Sequence, residues 1–459
     1  MLLIGLLAIG FLVYNFWDQQ YELIQVLRRQ DPVDEVAIAE ARNDILRTTL
    51  TATAGLAAAA VLLLNFQKQR HEEYNSTQQR IADLRIQAVQ QLGSASPSVR
   101  IGGLHNLERL GEAHPELRQI VLDEICSYLR LDYLPGTEDK APSRGKGKTD
   151  SGKGRSAESE VRLIAQEILQ RHLKFKTGKQ RREYWSHDRL NLKNAKLQNI
   201  DFSDCRLIEL DFGGAEFTGY AGFVGAKFGG NADFGGAKFG GNADFGGAKF
   251  GGNADFGGAE FGARAVFRDA KFTRNADFRG AKFGGNADFR DAKFGGNANF
   301  GGAKFARDAV FGGAEFTGYA VFEGAEFGEY AVFGGAKFGG NAEFRGAKFT
   351  GYAVFEGAEF GGYAVFGGAK FGEYAVFGGV EFTGYAVFVG AEFTGNADFE
   401  GAKFTGNADF GSTVFSKLQD AQSLPVGWRY SDDAAADGTW RLVRVSPPDE
   451  PDASDPSSA

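Results

Sequence analysis

The sequence predicts an α+β multidomain chain: two membrane-spanning helices, a short helical region, then a long wound stack of short strands. Three observations carry this. Two uncharged apolar runs, residues 2–17 and 48–66, stand near the N-terminus. Amphipathic helical patterns fill residues 67–135. From Leu190 an apolar period of five, later alternating five and six, persists to Phe415.

Spanning a bilayer takes ~20 helical residues, range about 17–25. Residues 48–66 (TTLTATAGLAAAAVLLLNF) meet that length, and residues 2–17 (LLIGLLAIGFLVYNFW) sit at its short limit. A cleaved signal peptide fits the first run poorly, because a basic n-region and an A-x-A-like site are missing. Neither run shows the polar face of a soluble hairpin. The bases flanking the second run nearly tie: Lys68, Arg70, Arg80 and Arg85 follow it, and Arg28, Arg29, Arg42 and Arg47 precede it. The expected setting is the cell (inner) membrane with the repeat domain in the cytoplasm. Two unpaired cysteines, Cys126 and Cys205, favour that side, since they read as buried small hydrophobes in a reducing compartment rather than a disulfide or zinc site.

The segments follow in order. Residues 1–66 form the transmembrane hairpin and 67–135 a juxtamembrane helical region. Residues 136–157 are a flexible linker and 158–189 a helix with its lead-in. Residues 190–415 are the repeat, 416–446 a C-terminal cap and 447–459 a disordered tail. Gln67–Gln91 continues the second span and ends at Gly93, a suitable helix terminator. Ser96-Pro97 reads as an N-cap with proline at the first helical position. Val99, Ile101, Leu104, Leu107 and Leu110 then line one helix; Leu117, Ile120, Val121, Ile125 and Leu129 line the next. The two resemble one HEAT-like helix pair, too little for a solenoid of its own. We expect this pair to be an adaptor on the juxtamembrane helix. The linker (GTEDKAPSRGKGKTDSGKGRSA) is rich in glycine and lysine but lacks the strand and spacing of a phosphate loop.

In the repeat, Leu192, Leu197, Phe202, Leu207 and Phe212 are five apart, and Leu190, Ala195, Ile200, Cys205 and Leu210 precede each by two. From Phe212 the steps alternate five and six, so Phe223, Phe234 and Phe245 recur every 11 residues, with Phe217, Phe228 and Phe239 between them. Ala stands two before nearly every Phe, as in Ala232/Phe234 and Ala237/Phe239. Ala-x-Phe puts both apolar side chains on one side of an extended triplet, and Gly-Gly supplies the corner. The predicted core therefore includes Phe223, Phe228, Phe234, Phe239, Ala232 and Ala237. Each buried Phe contributes about 1.5–3 kcal/mol. Each glycine costs roughly 0.5–1 kcal/mol. One Phe against two glycines is marginal, so coil-to-coil pairing must supply the rest and isolated repeats should not fold.

This stretch resembles the pentapeptide-repeat family, with its A-(N/D)-(L/F)-x-x consensus. The resemblance implies a right-handed quadrilateral β-helix with four repeats per coil. Residues 190–211 match the plain form, and 212–415 match a variant with one extra residue at every second corner. Four faces would then take 22 residues and make about ten coils, near 50 Å at the ~4.8 Å sheet spacing. Two spans, QAVQQLGS, VRIGGLHNLERLGE, a linker and repeats together look like a group of bacterial membrane-anchored members of the family. Rival readings fare worse. Frequent glycine excludes a helical supercoil of 11-residue period. The period is wrong for calcium-binding nonapeptides. The strict register disfavours a disordered FG-rich tract.

Positions 22 apart should stack. Asn231, Asn253, Asn275 and Asn297 form one column, an amide ladder. Tyr330, Tyr352 and Tyr374 form another, beside Val310, Val332, Val354 and Val376; Tyr319, Tyr363 and Tyr385 form a third, broken by Asn341. Tyrosine and valine stripes between roughly residues 310 and 390 fit an interaction surface, although such residues also simply suit strands.

The expected function is a non-catalytic, membrane-anchored scaffold that binds a protein partner as yet unidentified. The alternative is a nucleic-acid-mimicking regulator of a DNA enzyme such as a topoisomerase, a role the resemblance makes available. Lysines (Lys227, Lys249, Lys271, Lys293) interleaved with acids (Asp233, Asp255, Asp277) weaken that alternative, and a net charge of −8 gives no basic field for direct nucleic-acid binding. No cofactor or metal is expected. The histidines (His71, His105, His114, His172, His187) all precede the repeat, without nucleophile elbow, paired carboxylates or metal spacing.

Overall fold

The computed structural model describes residues 2–29, 32, 34–131, 157–175, 184–416, 424–425, 427–435 and 438–445; side chains at 2–9, 12 and 13 are excepted. The chain divides into two compact units, Met1–Leu84 and Arg85–Ala459. The linker to residue 156 and the tail 447–459 lie outside the described residues.

The first unit contains α1 (Leu2–Arg28) and most of α2 (Glu35–Leu92). Two spans were expected, and the structure supports one candidate. Among the described residues only α2 holds a stretch long and apolar enough to cross a membrane. Residues 2–17 do lie in a helix, but its described side chains supply no such run. In α2 the hydroxyls of Thr51 and Thr53 donate to the carbonyls of Arg47 and Thr49 at 2.8 and 2.7 Å. Bonding back to the previous turn lets a hydroxyl enter an apolar surrounding satisfied.

The second unit begins with the last turns of α2. Helices α3 (Pro97–Ala113) and α4 (Arg118–Arg130) follow, separated by a 3₁₀ turn at Pro115–Leu117. Ser96 does precede Pro97 as the N-cap, but its hydroxyl makes no capping bond. Val99, expected on the apolar face, is exposed. The predicted helix pair does not stand alone. Helix α5 (Ala157–Leu173) completes it, burying Leu104, Leu107, Val121, Ile125, Val161, Ile168 and Leu169 in one core. Helices α4 and α5 also cover the first coil. Gln166 Nε2 donates to Gln198 O at 3.2 Å while Gln166 Oε1 accepts from Gln198 N–H at 2.9 Å. Gln119 Nε2 donates to Arg189 O at 2.9 Å. Polar side chains thus satisfy backbone groups that an open sheet edge would expose.

Beyond Arg189 the chain winds into a right-handed solenoid of about ten turns. One coil reads Ala232–Asp233, Lys238–Phe239, Ala243–Asp244 and Lys249–Phe250, which we number as the first to fourth faces. Parallel ladders run up every face, Ala232 pairing with Ala254 and Phe228 with Phe250, 22 residues on. The first turn is shorter. Arg189 pairs with Glu209, Ile200 with Ala221 and Leu210 with Ala232, so the offset grows from 20 through 21 to 22. The first extra residue enters at Gly219 (φ 74°), opposite a register shift between Gln198 and Ile200. The insertion is absorbed at a corner and the quadrilateral persists.

The two-residue corners are β-turns: Ala237 N–H donates to Phe234 O at 3.0 Å. Their third position has positive φ, 65° at Gly236, and Asp269 and Asp291 occupy it at 58° and 56°. Where an aspartate precedes the turn Phe it closes the same turn, as Asp233 Oδ1 accepts from Gly235 N–H at 2.7 Å. That is the local reason for Asp in the Asn-Ala-Asp-Phe units.

Inside, the predicted core residues Phe223, Phe228, Phe234, Phe239, Ala232 and Ala237 are all buried. Phe234 lies on Phe256 with centroids 4.8 Å apart and planes 1° apart, and meets Phe245 edge-on at 88°. Both arrangements suit the ring quadrupole. At the far end, where a C-terminal cap was expected, Trp428–Tyr430 and Leu442–Arg444 pair antiparallel. Trp440 exchanges backbone hydrogen bonds with Phe415 at 2.8 and 2.9 Å, and Trp428 sits edge-on to Phe410.

Candidate interaction surface

The three-residue strands Tyr330–Val332, Tyr352–Val354 and Tyr374–Val376 stack in register on the third face. Residues i and i+2 of a strand point the same way, so tyrosine and valine ladders run side by side. Tyr330 and Tyr352 stack at 4.9 Å and 13°; Tyr352 and Tyr374 lie 6.2 Å apart and tilted. Tyr330 and Tyr352 are exposed, while Tyr374 and all three valines are half-buried. The valine stripe is therefore less open than the sequence suggested. In-register packing covers each isopropyl group with the coils above and below.

The second tyrosine column lies across the solenoid, before first-face strands. Tyr319 and Tyr363 are exposed and Tyr385 half-buried. Asn341 and Glu343 interrupt it, and Tyr363 meets Tyr385 only edge-on at 6.1 Å. Of the nine predicted surface residues, the structure joins Tyr330, Tyr352, Tyr374, Val332, Val354 and Val376 into one patch. It leaves Tyr319, Tyr363 and Tyr385 in another place.

Elsewhere the surface is charge-paired across coils. Lys293 Nζ lies 2.7 Å from Glu315, Lys337 3.0 Å from Glu359 and Lys370 2.9 Å from Glu392. Exposed glutamates edge the patch: Glu329 and Glu373 precede Tyr330 and Tyr374, and Glu356 follows Val354 by two. Arg307 reaches Glu329 at 3.6 Å.

One grouping escaped sequence spacing. Glu108 and Glu112 on α3 meet His172 on α5. His172 Nε2 lies 2.9 Å from Glu108 Oε1, 64 residues apart in the chain. The hydrogen bond from His172 is the chief reason that the Glu108 carboxyl titrates below its ordinary range, despite burial. Only the helical period of α3 hinted that Glu108 and Glu112 share a face. Both cysteines are buried and unpaired; burial pushes each thiol up to about 12, so neither is a ready nucleophile.

This geometry defines a class, the four-faced parallel β-solenoid with an aromatic core and capped ends. Within that class, the chain belongs to the pentapeptide-repeat family. The family described as pentapeptide repeats matches residues 188–219 and, in overlapping stretches, from 223–271 through 366–414. No curated protein matches the chain.

Proposed function

We propose that this chain is a non-catalytic, membrane-anchored scaffold that captures a protein partner on the third-face tyrosine–valine patch. The anchor is the apolar stretch of α2, in the cell membrane with the solenoid on the cytoplasmic side. The observation that carries the reading is the exposed Tyr330–Tyr352 stack beside the valine ladder. Large aromatic rings held rigidly at a surface lose little entropy on binding. The acidic edge at Glu329, Glu356 and Glu373 favours a partner with an apolar segment flanked by basic side chains. Among the described residues, the coil faces carry cross-coil lysine–glutamate pairs, a solvated charged surface that suits contact with a partner better than enclosure of a small substrate. Those same pairs weigh against the alternative of a nucleic-acid mimic acting on a topoisomerase, which needs an unbroken acidic face.

The test exchanges the patch for residues this fold already carries one coil higher, Asn396 and Asp398. Tyr352→Asn with Val354→Asp should leave the far-ultraviolet spectrum unchanged and abolish crosslinking of the partner to the intact chain in membranes. Tyr363→Asn should leave crosslinking intact. Equal crosslinking by the double variant would remove the patch from consideration. Gyrase inhibition by the intact chain, undiminished in the same variant, would favour the mimic.

A further inference from the structure

The helical cap holds a cluster that neither the solenoid nor the docking surface uses. On α3, His105, Glu108 and Glu112 recur at helical spacing, and Glu108 is buried. His172, on α5, is buried and stacks on Trp185 with centroids 3.9 Å apart and planes 17° apart. One donor atom from each of Glu108, Glu112 and His172 lies within 4.8 Å of the others. His105 Nδ1 is 3.4 Å from Glu108 Oε2, where it steadies the second carboxylate oxygen. Arg171 Nη1 is 2.5 Å from Glu108 Oε1, and its side chain is half exposed.

We propose that Glu108, Glu112 and His172 bind one first-row divalent ion, of the zinc, cobalt or nickel kind, at the α3–α5 junction. Imidazole nitrogen with two carboxylates suits these borderline ions. The 2.9 Å between His172 Nε2 and Glu108 Oε1 is close to the spacing of cis ligands each ~2.1 Å from a shared six-coordinate ion, and the pair would open by about 0.5 Å for a tetrahedral one. Trp185 holds the imidazole plane, so one ligand is already oriented. Binding replaces the proton between His172 Nε2 and Glu108 Oε1 with the ion, and that proton leaves to solvent. Arg171 must release Glu108 and can do so into solvent. Its positive charge opposes the ion, so the site should be reversible rather than a permanent structural centre.

The purely structural reading is a hydrogen-bonded clasp between α3 and α5. The two readings part at Arg171 and at Glu112. The intact chain, stripped with chelator in detergent, is titrated with Co2+ and followed by visible absorption and calorimetry. One equivalent should bind with a ligand-field spectrum. Glu112→Gln, an exposed position, should weaken binding about tenfold or more with the helical spectrum unchanged. Arg171→Gln should tighten binding while lowering thermal stability without metal. His172→Gln should abolish the ligand-field bands. Absence of a one-equivalent event, or binding that persists unchanged in both Glu112→Gln and His172→Gln, overturns the proposal. So does weaker binding in Arg171→Gln.

Discussion

The side-chain oxygen of Asn231 accepts the backbone N–H of Asn253, one coil above, at 3.0 Å. The same bond recurs from Asn253 to Asn275 and from Asn275 to Asn297 at 3.3 and 3.1 Å. The asparagine ladder is therefore not amide on amide. Each side chain satisfies a main-chain donor at a wide corner, where the ladder of strand bonds is interrupted. Where tyrosine follows asparagine in this column, its amide still uses the side chain below: Tyr319 N–H donates to Asn297 Oδ1 and Tyr363 N–H to Asn341 Oδ1, each at 3.1 Å. In the third-face column, where tyrosine lies over tyrosine, Tyr352 N–H reaches Glu329 O at 3.0 Å instead. The switch from Asn to Tyr thus frees a ring for the surface without leaving its amide unpaired.

Asn275→Ala should lower stability by about 0.5–1.5 kcal/mol, the net worth of one hydrogen bond, and by the lower part of that range because the corner is exposed. Asn275→Asp keeps the acceptor and should lose less. Urea denaturation of the two variants side by side measures the difference.

Phe289 lies between Phe267 and Phe311, with centroids 4.8 Å away on each side, and meets Phe300 edge-on. Phe289→Ala should cost about 3–5 kcal/mol. Coils contact only their neighbours, so the loss should uncouple the two halves and turn one unfolding transition into two. A single transition with an unchanged midpoint would contradict this account of the core.

At Gly258 the φ is 65°, and the space that a β-carbon would enter is open. Asp269 and Asp291 already hold the equivalent place at positive φ. Gly258→Asn should be close to neutral, whereas Gly258→Val should destabilise by about 1–2 kcal/mol because a branched side chain resists the left-handed region. Paired thermal melts decide it.

His187 is buried with both ring nitrogens engaged: Nδ1 lies 3.2 Å from Trp185 O, and Nε2 accepts from Ile208 N–H at 3.3 Å. Only the neutral ring can accept that proton, and burial moves its pKa below the ordinary 6.5. The unfolded chain therefore takes up the proton first as pH falls. The stabilisation is complete above 6.5 and is lost as pH drops through the lower folded value. Acid should loosen the junction between the helical cap and the first coil. His187→Gln, which keeps a donor and an acceptor but does not titrate, should flatten that part of the stability–pH curve.

Much of the solenoid was legible because its code is local and repeated. Ala-x-Phe placed Phe234 and Ala232 inside, and the count of 22 put Tyr352 above Tyr330. The half-burial of Val354 was not legible, since it depends on how far neighbouring coils cover a side chain. The asparagine bonds were misread in detail for a related reason. A column is visible in sequence, but the partner atom is not.

Residue spacing alone encodes the winding and the inward rings, because each coil meets only the coils 22 residues away and a fixed period records that contact. It took the folded chain to bring α5 against α3 and α4, to set Glu108 against His172, and to gather six of the predicted surface residues into one patch while three lie elsewhere. Those outcomes depend on the fit between elements far apart in the chain, and no periodicity encodes such a fit.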